Sequence, residues 1–273
     1  MQQLQDIGGK IFMSRIHQAF EKGPAFISFV TAGDPSLEKT ITYIQTIEKA
    51  GASLVEIGIP FSDPIAEGPV IQEASVRALK NHVNVDDVFD IVKTIRTESE
   101  IPLCLMGYLN PVFHYGYEAF FQKCQEVGVD GVIIPDLPFE EKQEVESVAS
   151  QYDVDVISLI APTSAKRVQM IAKEAKGFIY LVSSMGVTGT RSTIDTDIES
   201  IVKDIRQVTD VPVAVGFGIH SPQQAQDISK QADGVIVGSA IVKIIAQEKE
   251  HGEQRIDEYV RSMVQAIQKN LHQ

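Results

Sequence analysis

Cysteine is scarce: only Cys104 and Cys124 occur in 273 residues. The first lies in an apolar, strand-like run and the second on a helix-like segment. They form no metal-site spacing, so both read as reduced thiols. The six histidines are scattered, with no H-x-x-x-H pair and no strand-end cluster. That argues against a metal-dependent epimerase or aldolase. No strand interior holds a lysine, which argues against a Schiff-base mechanism. Long apolar runs are also missing, and none approaches the ~18–20 residues that span a bilayer. Positive charge is in deficit, with 24 Lys and Arg against 37 Asp and Glu and a net charge of −13. Without a basic stripe, nucleic acid and anionic membranes are not expected partners. The opening Met1-Gln2-Gln3-Leu4-Gln5-Asp6 has neither a basic nor an apolar leader region. A cytoplasmic chain is the expectation.

What is present is ample core. Hydrophobic residues make up 44% of the chain and mean hydropathy is close to zero, as in soluble globular proteins. Eight short runs rich in Val, Ile and Leu recur: 25–31, 54–57, 103–106, 131–134, 156–160, 178–182, 213–215 and 234–237. Helix-like segments separate them, among them 37–50 (ending at Gly51, with Asp34 or Ser36 as cap), 70–80 and about 86–97. Ile11, Phe12, Ile16 and Phe20 predict a leading helix over 9–22. Buried runs alternating with amphipathic helices predict an α/β fold, a (β/α)8 TIM barrel occupying residues 1–273 as a single domain. The rival, an open doubly wound sheet, would carry a GxGxxG after its first strand, and none is there.

In such a barrel the residues just after each strand converge on one rim. The second run carries Glu56 among Leu54, Val55 and Ile57, then opens into a Pro- and Gly-rich loop with Asp63 and Glu67. A carboxyl fixed on an apolar strand beside loop carboxylates suits acid–base chemistry. Thr31, Tyr108, Asn110, Asp136 and Tyr180 fall on the same rim. After the last two runs come Gly216-Phe217-Gly218 and Gly238-Ser239, with Ser239 expected to cap a short helix through Ile241 and Ile245. Glycines there admit an anion to the backbone, and a helix N-terminus favours it, so a phosphate site is expected. The small, polar stretch 183–192 reads either as a solvated loop or as a lid.

Several motifs stand in a telling order: V-E-I-G-I-P-F-S-D-P-I-A-E-G-P, L-M-G-Y-L-N-P, Y-L-V-S-S-M-G-V-T-G, V-G-F-G-I and V-G-S-A-I-V. Over nearly its whole length the chain resembles the tryptophan synthase α-subunit family. The resemblance implies a lyase that cleaves indole-3-glycerol phosphate to indole and glyceraldehyde 3-phosphate by retro-aldol chemistry. It implies no cofactor in this chain and a β-subunit partner carrying pyridoxal phosphate, in an α2β2 heterotetramer. Glu56 matches the family's essential acid and base, and Tyr180 an active-site tyrosine. Glu67 stands where the family usually has aspartate, as the partner of the indole N–H. Phe29 and Tyr108 match pocket-lining positions. Thr188, Gly189, Phe217, Gly218, Gly238 and Ser239 match lid and phosphate contacts, while Ser184 replaces an arginine found in many relatives. Pro60, Asp63 and Asn110 match the face turned to the β subunit, although Asp63 equally suits a turn cap. Two other readings stay open: a stand-alone lyase, and a phosphate-binding regulatory barrel that activates its partner.

Overall fold

The computed structural model describes residues 5–7, 10–12, 14–182, 197–216 and 218–269. Among these, nine parallel strand segments form one sheet. They are β1 (Ala25–Thr31), β2 (Leu54–Gly58), β3 (Leu103–Met106), β4 (Gly131–Ile133), β5 (Asp155–Val156), β6 (Ser158–Ile160), β7 (Ile179–Val182), β8 (Val213–Gly216) and β9 (Gly234–Val237). They are hydrogen-bonded in the order β5-β4-β3-β2-β1-β9-β8-β7-β6. The two ends of that row, β5 and β6, are one stretch of chain interrupted at Ile157, so the sheet closes on itself. The Ile157 N–H continues the β4 ladder by donating to Val132 at 2.9 Å. The eight apolar runs are therefore the eight staves, the fifth shared between its two neighbours.

Successive strand side chains point to opposite faces, and the barrel has a core on each. Ala25, Ile27, Leu54, Cys104, Ile133, Phe178, Ala214 and Ile236 share the inner cluster. Phe26, Val30, Val55, Ile57, Leu103 and Leu105 belong to the larger cluster beneath the helices. Ile16, fully buried, joins the inner cluster and closes the N-terminal end of the barrel. Asp130, just before β4, secures that end. Its carboxylate accepts from Arg15 Nε at 2.6 Å, Arg96 Nη2 at 2.7 Å and the Leu103 N–H at 2.8 Å.

The leading helix is shorter than its periodicity predicts. Lys10–Phe12 is extended and pairs antiparallel with Gln5–Ile7, and the helix spans Arg15–Gln18 only. Ser14 is extended at φ −59° and ψ 149°, and its side chain accepts the His17 N–H, so the helix begins there. Ser36 caps the helix Leu37–Lys49. Asp34, the other candidate, is held by two 2.8 Å bonds from Arg77. The wide interval after β2 contains two helices, Pro69–Lys80 and Val85–Ile95, the second started by an Asn84–Asp87 capping box. The helix after β9 runs Ser239–Glu248. Gly238 holds its cap position without a side-chain bond, and Ser239 is its first residue rather than its cap. Glu253–Gln268 packs across Leu37–Lys49 and Pro222–Ile228.

Candidate active site

At the C-terminal rim a cavity opens whose wall includes Phe29, Glu56, Ala66, Glu67, Tyr180, Gly218, Gly238 and Ser239. Together with the apolar residues named below, they come from seven of the strands or the loops that follow them, as the barrel topology requires. Strand parity explains the choice: Phe29 on β1, Glu56 on β2 and Tyr180 on β7 all fall on the inward face. Met106, Pro135, Ile219 and Ile236 complete the apolar lining with Ile71 of helix Pro69–Lys80. Sequence reasoning passed over these. Met106 and Ile236 were legible from parity, each lying two residues from another inward position, whereas Ile71 reaches the cavity only through the packing of its helix.

Glu56 is fully buried, and neither carboxyl oxygen has a hydrogen-bond partner among the described residues. Loss of hydration penalises the carboxylate and raises its pKa to about 8. Glu67 is half-buried on the loop after β2. Its Oε2 is buried without a partner among the described residues, and desolvation raises its pKa to about 7. The longer side chain at this position thus still brings its carboxyl to the cavity wall. Burial and the nearby Glu56 push the Tyr180 phenol well above its ordinary value, so it stays protonated. Two glycines make room for these groups. A Cβ on Gly216 would lie 2.5 Å from Tyr180 Oη, and one on Gly58 would lie 2.5 Å from Phe29 Cζ.

Gly218 and Gly238 also line the cavity, and Ser239 opens the helix Ser239–Glu248. The first N–H groups of that helix have no intrahelical acceptor, and its dipole is positive at that end. A phosphate is the ligand group that such an end accommodates. Thr188, Gly189 and Phe217, along with the rest of the 183–192 stretch, lie outside the described residues.

Tyr108, expected on the pocket wall, does not line this cavity; it is set behind the Glu67 loop. Its hydroxyl accepts the N–H groups of Ile65 and Ala66, and its ring lies 5.3 Å from that of Phe61. Asp63 and Asn110 are exposed, and Ser62 donates to the Asp63 carboxylate. Pro60 is buried. Ile65, two residues after Asp63, and Phe113, three residues after Asn110, are large apolar side chains that face water. Among the described residues no group of three or more His, Cys, Asp or Glu is placed to hold a metal ion. No helix among them is long and apolar enough to cross a membrane.

A barrel with one desolvated glutamate on β2, a second on the following loop and a helix N-terminus on the same cavity has the groups needed for acid–base chemistry. Comparison with known proteins gives this arrangement a family. Residues 16–271 match the family described as tryptophan synthase alpha chain. The tryptophan synthase alpha chain of Lacticaseibacillus casei is 46% identical over 257 residues, covering 94% of this chain and 97% of that one. The crystal structure of the alpha chain from Legionella pneumophila superposes with a TM-score of 0.85 at 38% identity, covering 94% and 98% of the two chains. A chain from a structure of the Pyrococcus furiosus tryptophan synthase α2β2 complex superposes with a TM-score of 0.81 at 33% identity, covering 89% and 98%. The order of motifs, the closed barrel and the similarity along almost the entire length agree: this chain belongs to the tryptophan synthase alpha chain family.

Proposed function

We propose that the chain carries out its family's lyase reaction, cleaving indole-3-glycerol phosphate to indole and glyceraldehyde 3-phosphate, with Glu56 as proton carrier and Glu67 as partner of the ring nitrogen. The observation that carries this reading is that neither buried oxygen of Glu56 has a hydrogen-bond partner among the described residues, in a largely apolar cavity. With its pKa near 8, Glu56 holds a proton at neutral pH. Transfer of that proton to indole C3 leaves the positive charge on the ring nitrogen. The carboxylate of Glu67, accepting the ring N–H, stabilises that charge most effectively where water is excluded. The Glu56 carboxylate then takes the proton of the side-chain hydroxyl. The carbon–carbon bond breaks, its electrons return to the ring, and the hydroxyl carbon leaves as the aldehyde. The glutamate ends protonated, ready for another turn.

Tyr180 supports this cycle as a neutral hydrogen-bonding group beside Glu56. Phe29 walls the ring pocket, and Gly218, Gly238 and Ser239 receive the phosphate, with Thr188, Gly189 and Phe217 assigned to the same end and its lid. The chemistry uses no cofactor in this chain; pyridoxal phosphate is assigned to a β subunit, with which the chain forms an α2β2 assembly in the cytoplasm. The name of the Pyrococcus furiosus complex, and the exposed Ile65, Phe113, Asp63 and Asn110 on the active-site rim, support that docking face. Buried Pro60 shapes the loop behind it.

The test is to incubate the full chain with indole-3-glycerol phosphate, with and without a β subunit, as wild type and as Glu56→Gln. Cleavage stimulated by the partner is expected for the wild type, and a loss of at least about 10³-fold for the variant, with binding of glycerol 3-phosphate unchanged. Turnover retained by Glu56→Gln removes Glu56 from the mechanism.

A further inference from the structure

Glu67 sits on a stretch, residues 59–68, that has neither helix nor strand to hold it. A carboxyl on a long side chain can be placed reproducibly only if its backbone is fixed, because each free torsion enlarges the volume it samples. Two side chains from other elements grip that backbone. The Tyr108 hydroxyl oxygen accepts the Ile65 N–H at 3.1 Å and the Ala66 N–H at 2.9 Å. Gln72, on helix Pro69–Lys80, donates through Nε2 to the Glu67 carbonyl at 2.8 Å. The grip on the tyrosine is itself anchored. Tyr108 is 2% exposed and packs its ring on Phe61, and the next residue, Leu109, donates its N–H to Asp136 Oδ1 at 2.8 Å. A chain of contacts thus runs from the loop after β4, through the start of helix Leu109–Tyr115, to the backbone that bears Glu67.

We propose that Tyr108, assisted by Gln72, is a positioning residue for the cleavage: by holding the backbone at Ile65, Ala66 and Glu67 it sets where the Glu67 carboxyl meets the ring nitrogen. The inference rests on the role given to Glu67 above. Phenylalanine at 108 would keep the ring and its contact with Phe61 but leave two backbone N–H groups without their acceptor. The loop would then turn to find others, and displacements near 1 Å at a reacting group cost up to about 10²-fold in rate.

A double-mutant cycle tests this, using the full chain together with its β subunit. Wild type, Tyr108→Phe, Glu67→Gln and the double variant are compared for kcat and KM, with thermal unfolding as the check on folding. Tyr108→Phe should lower kcat about tenfold while KM stays within about twofold, since the phosphate end is untouched. In the Glu67→Gln background the same change should have no further effect. Gln72→Ala, at an exposed position that the fold tolerates, should lower kcat about threefold, again only when Glu67 is present. If Tyr108→Phe does not fold, Gln72→Ala decides alone. Wild-type kcat in the folded single variants, or equal loss in both backgrounds, overturns the proposal. Full turnover by Glu67→Gln overturns the role of Glu67 itself, a failure recognisable because it needs no change at Tyr108.

Discussion

The two glutamates of the cavity feel one cause to different degrees, and the proposed mechanism gives them unlike jobs. Desolvation raises Glu56 to about 8 and Glu67 to about 7. In the proposed mechanism Glu56 must be protonated to deliver its proton to C3, so activity falls as pH rises through about 8. In the same mechanism Glu67 must be ionised to accept the ring N–H, so activity falls as pH drops through about 7. The expected profile of kcat/KM is a bell with its maximum between these values, measured from about pH 6 to about pH 9.5. Glu67→Gln should lose the acidic limb along with most of the rate. A flat profile would remove both assignments. The awkwardness of Glu56 was legible from its apolar neighbours. The consequence of the extra methylene at Glu67 was not, because it depends on where the loop stands, and the loop is held by Tyr108 from a different part of the chain.

At the level of elements, strand parity selects which side chains meet in the cavity, and glycines opposite them leave the space. Gly216 on β8 lets the Tyr180 phenol of β7 lie across it. Gly216→Ala should force the ring aside, lower stability by about 1–3 kcal/mol and reduce kcat, read from urea denaturation and steady-state turnover. An unchanged denaturation midpoint would mean that Tyr180 relocates without strain. Local signals placed strands and most helices well, because buried runs and caps are short-range features. They failed over 9–22, where helical spacing of apolar residues met an extended segment and the Ser14 cap. They also put the cap of the last rim helix on Ser239, although Gly238 takes that position.

For the molecule as a whole, the active rim and the stabilising end lie at opposite ends of the barrel. Asp130 gathers Arg15, Arg96 and the Leu103 N–H at the N-terminal end, tying the leading helix to β3 and β4. Asp130→Ala leaves the Arg96 guanidinium without its carboxylate and Arg15 with Glu100 alone, and the expected loss is about 3 kcal/mol in chemical denaturation. Turnover per folded molecule should hardly change, because no rim residue is touched. A parallel fall in kcat would show that the two ends are coupled. The division also explains why the N-terminal helix, only four residues long, matters: its buried Ile16 plugs the barrel floor.

Legible in the residues alone were the eight staves, the rim at their C-terminal ends, the buried acid at Glu56 and the glycines after the last two strands. Each is a matter of composition and of periods two and 3.6 along the chain, which need no knowledge of distant neighbours. The fold decided the rest. Closure of the sheet through Ile157, the engagement of Asp34 by Arg77, the entry of Ile71 into the cavity and the setting of Tyr108 beneath the Glu67 loop all join residues far apart in the chain. So does the protonation of Glu56: its neighbours along the strand make burial expected, but only the closed barrel removes the water that would have kept it ionised.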